Sequence, residues 1–341
     1  MALAGPAWGV FFGAAVLSAV FIMMLRPVLQ RYALARPNAR SSHSVPTPQG
    51  GGLAIVAAIA IVLAIASVLA MPMFADPFRL AVVIACAVAL AAVGATDDIW
   101  PLEPLPRLLL QAGAILIVVA FLPSELRIIP VLPWWGERLL MTIALLWLVN
   151  LVNFMDGIDW MTVAEIVPVT AALAGFGLMG ALSPDATLAA LALCGGMIGF
   201  APFNRPVARL FLGDVGSLPT GLLLGWLLIL LAERHLAAAL LLPLYYVADA
   251  TITLLRRLIN REPVMQAHRS HFYQRAMLGG LSVSRIVGWV FLLNIALAGL
   301  SAAALLTASL AAQAVLLITG AAMVGALLWH FETAHKATAT V

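Results

Sequence analysis

The chain has 341 residues, of which 64% are hydrophobic and 10% charged, with a formal net charge of +3 and two cysteines; ordinary soluble domains run at roughly 45–50% apolar and about 25% charged. That balance excludes a soluble domain and a peripheral protein with an ordinary charged surface. A disulfide scaffold is excluded too, because Cys86 and Cys194 each sit inside a long apolar run.

Runs of about 20 apolar residues, the length that spans a bilayer as a helix, begin near Ala7, Gly51, Arg79, Arg107, Arg138, Met161, Thr187, Ser217, Leu236, Ile286 and Ala311. The prediction is an all-α, polytopic integral membrane protein with about 11 transmembrane helices. Several runs are short or interrupted by glycine. The first has no basic residue before it and no clear cleavage site before Arg26, so it reads as a true span rather than a signal peptide. No internal repeat is evident, and residues 1–341 read as one membrane-embedded domain.

Lys and Arg set the orientation. One set of alternate loops holds Arg26, Arg31, Arg36, Arg40, Arg107, Arg205, Arg209, Arg256, Arg257, Arg261, Arg269, Arg275, Arg285 and Lys336, fourteen of the eighteen basic residues. That set is expected in the cytoplasm, with the N-terminus outside and the C-terminus inside. Every segment of unusual chemistry falls on the same side, at residues 26–52, 94–107, 150–160, 203–217 and 256–285, while the opposite loops look bland. The positive charge lies in loops, so anionic lipids and phosphates suit as partners and nucleic acid does not.

The first segment ends in Ser41-Ser-His-Ser-Val-Pro-Thr-Pro-Gln-Gly-Gly-Gly52. Its three glycines can be a hinge or can bring backbone amides to a phosphate or a base; His43 adds a titratable group. In the second, Gly94-Ala-Thr-Asp-Asp-Ile-Trp100, the carboxylates Asp97 and Asp98 adjoin. Thr96 or Asp97 could cap the next helix, or the pair could hold a cation or a proton, with Arg107 near in sequence.

The third segment, Asn150-Leu-Val-Asn-Phe-Met-Asp-Gly-Ile-Asp-Trp160, puts two amides and two carboxylates beside an apolar helix, where desolvation is costly. Glu165 follows within the next span, and an intramembrane ionisable group is a functional candidate by default. The fourth places Asp214 between Gly213 and Gly216 at a helix start that also suits phosphate. Lys336 is the only lysine and no Walker pattern exists, which excludes a nucleoside-triphosphate loop. The fifth carries His268-Arg-Ser-His271 among arginines. A third zinc ligand is missing, so a phosphate-rich anion bridged by Mg²⁺ suits it better than zinc.

Taken together, His43-Ser-Val-Pro-Thr-Pro-Gln-Gly-Gly-Gly52, Asp97-Asp98, Asn153-Phe-Met-Asp-Gly-Ile-Asp159, Phe211-Leu-Gly-Asp-Val-Gly-Ser217 and a histidine-bearing last loop resemble the polyprenyl-phosphate N-acetylhexosamine-1-phosphate transferases along nearly the whole chain. The resemblance implies transfer of a sugar 1-phosphate from a UDP-N-acetylhexosamine to undecaprenyl phosphate, with release of UMP and a requirement for Mg²⁺, or Mn²⁺ in its place. The setting it implies is the cytoplasmic face of a bacterial inner membrane, where the product starts a surface polymer such as O-antigen or capsule. Membrane lipids, and a second copy of the chain in a homodimer, complete the expected partners.

By the same resemblance Asp214 is a Mg²⁺ ligand, joined by Asp98, and Asn153 lies beside the diphosphate. Asp159, Gly157 and Phe211 surround the uracil, and Asp97 and Asp98 sit beside the lipid phosphate. His268, His271 and Arg269 reach the diphosphate or sugar. Asp156 joins the catalytic set, and His43 and Thr47 the substrate contacts. Two departures stand out: Ser270 interrupts the family's run of histidines, and the first loop lacks the lysine of members that use the peptidoglycan precursor. A simple UDP-sugar donor is therefore expected over the muramyl-pentapeptide.

The chemistry of the residues agrees. Donor and acceptor are both anionic, so their approach needs cations, and a lipid phosphate ionised at neutral pH can attack with little help from a base. Asp97 is then free to take a residual proton, while a two-step route through an aspartyl intermediate fits the same residues. The rival class is a transporter with Glu165 and Asp249 lining its pathway, but its polar groups would gather at the midplane between symmetric halves.

Overall fold

The computed structural model describes residues 4–35, 46–69, 74–263 and 268–339. His43 lies outside them.

Helix α1 (Ala4–Tyr32) leads into a two-stranded antiparallel ribbon of β1 (Leu34–Ala35) and β2 (Thr47–Pro48). Then come α2 (Gly52–Leu69), α3 (Pro77–Ile99), α4 (Pro104–Ala120), α5 (Trp134–Met155), α6 (Met161–Leu178), α7 (Pro184–Phe200) and α8 (Asp214–Ala232). The chain ends with α9 (Leu236–Leu241), α10 (Leu244–Ile259), α11 (Phe272–Leu278), α12 (Val283–Leu305) and α13 (Leu310–Ala339). Among the described residues, eight helices are long and apolar enough to cross a membrane, and α4 and α7 are shorter apolar helices.

Local signals explain several boundaries. Asp76 caps α3 by accepting from the Arg79 amide at 3.0 Å, with Pro77 at the first helical position. Ser183 and Pro184 open α7 in the same way. The span expected from Leu236 is not one helix. Pro243 has no amide to donate, and its ring clashes with the preceding turn, so the run divides into α9, of 6 residues, and α10, of 16.

Packing puts α8 at the centre: 94% of its apolar window is buried, against 11% for α13. Small residues let the other helices close on it. A Cβ on Gly94 of α3 would lie 2.3 Å from the Asp214 backbone, and one on Gly52 of α2 would lie 2.0 Å from the Cα of Gly216. The N-terminus of α8 is thereby brought against the end of α3 and the start of α2, which is where the polar segments meet.

The opposite end is not bland. Glu137, buried, pairs with Arg127 and accepts from the Ile129 amide at 2.7 Å, while Arg138 donates to the Pro123 carbonyl at 2.6 Å. Asp185 accepts from the amides of Ala75 and Asp76 at 3.0 and 2.7 Å. These bonds tie the loops together over the helix ends. Within the bilayer region, Glu165 of α6 accepts from Asn294 of α12 at 2.7 Å and is fully buried, so it fastens two helices and lines no open pathway.

Candidate active site

The last turn of α3 carries two adjacent carboxylates with different partners. Asp97 accepts from the Leu102 amide at 2.6 Å through Oδ1 and from Arg107 Nη1 at 2.7 Å through Oδ2. The same Nη1 lies 3.1 Å from Asp214 Oδ2, so one guanidinium nitrogen bridges carboxylates from α3 and α8. Asp98 turns the other way and accepts from the amides of Asp214 and Val215 at 3.0 and 3.2 Å, capping α8 from a neighbouring helix. Neither aspartate caps α4, whose N-cap is Glu103.

Asn153, near the end of α5, donates to Asp214 Oδ1 at 2.8 Å and contacts Ser217 at 2.9 Å. Asn150, one turn earlier, points elsewhere and donates to Gln111 of α4 at 2.8 Å.

The glycine triplet is a packing element. The amides of Gly51 and Gly52 donate to the carbonyls of Phe211 and Leu212, each at 2.9 Å, and Phe211 donates to Pro48 at 2.8 Å. Amides so engaged are not offered to a phosphate, and glycines pressed against α8 do not form a hinge. Gln49 Nε2 donates to the Asp98 carbonyl at 2.8 Å. Buried Thr47 on β2 and half-buried Phe211 are thus held close to the aspartates.

Beyond α5 the chain turns sharply. Asp156 accepts from Thr162 at 2.5 Å, and its carboxyl is pushed up to about 7, chiefly by burial and then by the charges of Asp98 and Asp159. Trp160 takes a left-handed φ of 63°, held because Asn204 accepts from its amide at 2.8 Å and Ala201 from its indole at 2.6 Å. Asp159 is buried and accepts from the Ala208 amide at 2.9 Å, which ties this turn to residues 203–209. Gly157 faces Tyr273, whose hydroxyl a Cβ at 157 would meet at 2.1 Å.

The histidine loop completes this end. The rings of His268 and His271 lie 5.0 Å apart, and His271 is stacked on Tyr273 at 5.6 Å. His268, the more exposed of the two, bonds to Ser270 at 2.7 Å. Burial, with His271 and Arg257 adding to it, pushes the His268 pKa down to about 4, so the ring is neutral at pH 7. Buried His271 meets Asp249 of α10 at 3.1 Å. Arg269 belongs to the same loop, between the two histidines.

The structure therefore gathers Asp97, Asp98, Asn153, Asp156, Phe211, Asp214 and the histidine loop at one end of the helices. Sequence reasoning gave Arg107 only proximity, and it missed Gln49 and Asn204 and the link from Asp249 to His271. Asp249 had one usable signal, an intramembrane carboxylate with a histidine loop following it.

Two carboxylates sharing a cation, with an amide beside them, form a hard-oxygen donor set. Among the described residues no group of three or more His, Cys, Asp and Glu is placed to enclose a metal ion. Mg²⁺ does not need such a cage, since it commonly takes one or two carboxylates and completes its shell with water and phosphate oxygens. Asp214 and Asp97 fit it.

A polytopic helical protein with paired carboxylates, arginine and histidines at one membrane end is built to handle anionic substrates at an interface. The family model for glycosyl transferase family 4 matches residues 80–232, from α3 through α8. The chain is 31% identical to a phospho-N-acetylmuramoyl-pentapeptide-transferase of Synechococcus sp., over 86% of this chain and 92% of the relative. It is 27% identical to a probable undecaprenyl-phosphate N-acetylglucosaminyl 1-phosphate transferase of Bacillus subtilis, over 81% of each. To a decaprenyl-phosphate N-acetylglucosaminephosphotransferase of Mycobacterium leprae it is 26% identical, over 76% of this chain and 74% of the relative. The chain belongs to this family, the polyprenyl-phosphate sugar-1-phosphate transferases of the glycosyl transferase family 4 type.

Proposed function

We propose that this membrane phosphotransferase moves a sugar 1-phosphate from a UDP-N-acetylhexosamine to undecaprenyl phosphate, at the cytoplasmic face of a bacterial inner membrane. An oxygen of the lipid phosphate bonds to the sugar-bearing phosphorus, the bridge to the other phosphorus breaks, and its electron pair leaves on UMP. The observation that carries the reading is the bridge from Arg107 to Asp97 and Asp214, with Asn153 on the far oxygen of Asp214.

Each residue then has a task that follows from its partners. Asp97 and Asp214, with Asn153 beside them, would hold Mg²⁺ or Mn²⁺, and the ion when bound supplies charge neutralisation between two phosphate-bearing substrates. Arg107 keeps the two carboxylates together and offers its remaining donors to phosphate. Asp98 acts through the α8 terminus that it caps. Asp156 takes up or gives up a proton near neutrality, and neutral His268, whose Nδ1 accepts from the Ser270 amide, offers its Nε2–H to the donor's diphosphate or sugar. Asp159 holds the turn that presents Gly157 to the donor.

The lipid's chain stays in the hydrocarbon because each methylene drawn into water loses about 0.8 kcal/mol; its phosphate meets the soluble donor at this interface. The altered histidine motif and the absent lysine favour a simple N-acetylhexosamine such as GlcNAc, or a deoxy relative, over the muramyl-pentapeptide. Purified protein given undecaprenyl phosphate and either UDP-GlcNAc or the UDP-muramyl-pentapeptide should release UMP faster with the former. Faster release with the latter would reverse the donor, and silence toward every UDP-sugar would refute the transfer.

A further inference from the structure

Asp249 is fully buried in α10, in surroundings where an unpaired carboxylate would be costly, yet each of its oxygens is taken by donors from the histidine loop. Oδ1 accepts from the Phe272 amide at 3.1 Å and Thr253 Oγ1 at 3.2 Å, and lies 3.1 Å from His271 Nδ1. Oδ2 accepts from Tyr245 Oη at 3.3 Å and the Tyr273 amide at 3.4 Å. One side chain thus orients an imidazole and also fixes the start of α11. From there Tyr273 reaches the Phe154 carbonyl at 3.4 Å and lies against Gly157, beside Asn153 and Asp156.

We propose that Asp249 is a positioning residue for the sugar-nucleotide donor. By accepting from Nδ1 it holds His271 in the Nδ1–H tautomer, and through α11 it sets the distance between the neighbouring His268–His271 pair and the turn at Asn153–Asp159. The carboxylate itself touches no substrate. It sits beneath His271, and His271 in turn lies under the more exposed His268, whose ring it meets at 5.0 Å. A ring held in one tautomer and one orientation presents the same face to every incoming donor, whereas an unheld ring must be ordered at binding. This assignment rests on the proposed function, in which the histidine loop serves the donor.

The test is a double-mutant cycle on the purified full-length protein. Transfer from UDP-GlcNAc to undecaprenyl phosphate is measured for the wild type, Asp249→Asn, His271→Gln and the double variant. Asp249→Asn should lose about 10- to 100-fold in kcat/KM for the donor, the range seen when a carboxylate that orients a working histidine is removed. The double variant should lose clearly less than the product of the two single losses, because the part of Asp249's work that passes through His271 is already gone in His271→Gln. Losses that multiply would show Asp249 acting only on the fold and overturn the proposal. Wild-type kinetics in His271→Gln would overturn it as well, together with the role given to the histidine loop. A second measurement needs neither transfer nor a folded Asp249 variant. Solid-state nitrogen NMR of histidine-labelled protein, with His271→Gln used for assignment, should show His271 protonated at Nδ1. Protonation at Nε2 alone would refute the assignment even where the wild type proves silent toward every UDP-sugar.

Discussion

Asp98 caps the helix that begins with Asp214: its two oxygens accept from the amides of Asp214 and Val215 at 3.0 and 3.2 Å, across the contact between α3 and α8. Two aspartates in neighbouring sequence therefore do different work. Asp97 joins the Arg107 bridge, whereas Asp98 fixes the backbone from which Asp214 projects. The carboxylate also opposes the partial positive charge of the α8 terminus, which helps to make its burial tolerable.

Asp98→Ala should lower stability by about 1–2 kcal/mol, the usual loss when a helix cap is removed. Asp98→Asn, which keeps one acceptor, should lose less. Thermal unfolding in detergent reads both. Equal and negligible shifts would leave the cap without energetic weight.

Asp214→Asn should reduce transfer at least about 100-fold while the protein stays monodisperse, because a neutral amide holds a hard cation poorly and weakens the pairing with Arg107. The companion measurement is transfer by the wild type with chelator present. Full rate there would remove the divalent ion from the mechanism.

Arg107 is the fixed cation between Asp97 and Asp214. Arg107→Gln should leave two carboxylates facing each other without compensation, so its melting temperature should fall in metal-free buffer and recover as Mg²⁺ is added. The wild type should respond less. A deficit that Mg²⁺ does not relieve would show that the two carboxylates cannot share that ion.

The Asp156 carboxyl is raised to about 7 in the folded protein, against about 3.9 for an ordinary aspartate. Between those values the folded chain keeps a proton that the unfolded chain has released, so this group's contribution to stability falls as pH rises through that window. Asp156→Asn should flatten the dependence and gain on the wild type as pH increases. Melting temperatures of the two proteins across the window give the difference, and parallel curves would mean that Asp156 titrates alike in both states.

Orientation can be read with single cysteines, because Cys86 and Cys194 are free and buried. Ser282 is exposed at the start of α12, at the end that holds the site, and Ser124 is exposed at the other end. Ser124→Cys should react with an impermeant thiol reagent on intact cells, and Ser282→Cys only after the inner face is opened. The reverse pattern would invert the topology, and the site with it.

The sequence by itself determined the membrane class, the all-α architecture and the five polar segments that meet at one end. Apolar run length and the Asp97-Asp98, Asn153–Asp159 and Phe211–Ser217 motifs are local properties, legible without knowing what packs on what. Partnership is not local. Asp97 and Asp98 are neighbours in the chain, yet which of them caps α8 and which meets Arg107 depends on how α3 rotates against α8, and that rotation is decided by the close approach at Gly94. Likewise Gly51 and Gly52 can offer their amides to a ligand until β2 and the strand-like stretch at Phe211 claim them. Asp249 looks like an isolated intramembrane charge until Pro243 breaks the helix before it and the loop folds back to bring His271 within 3.1 Å. Only tertiary packing could decide these points, because the choice between partners turns on groups from separate elements that helix contacts bring within reach of one another.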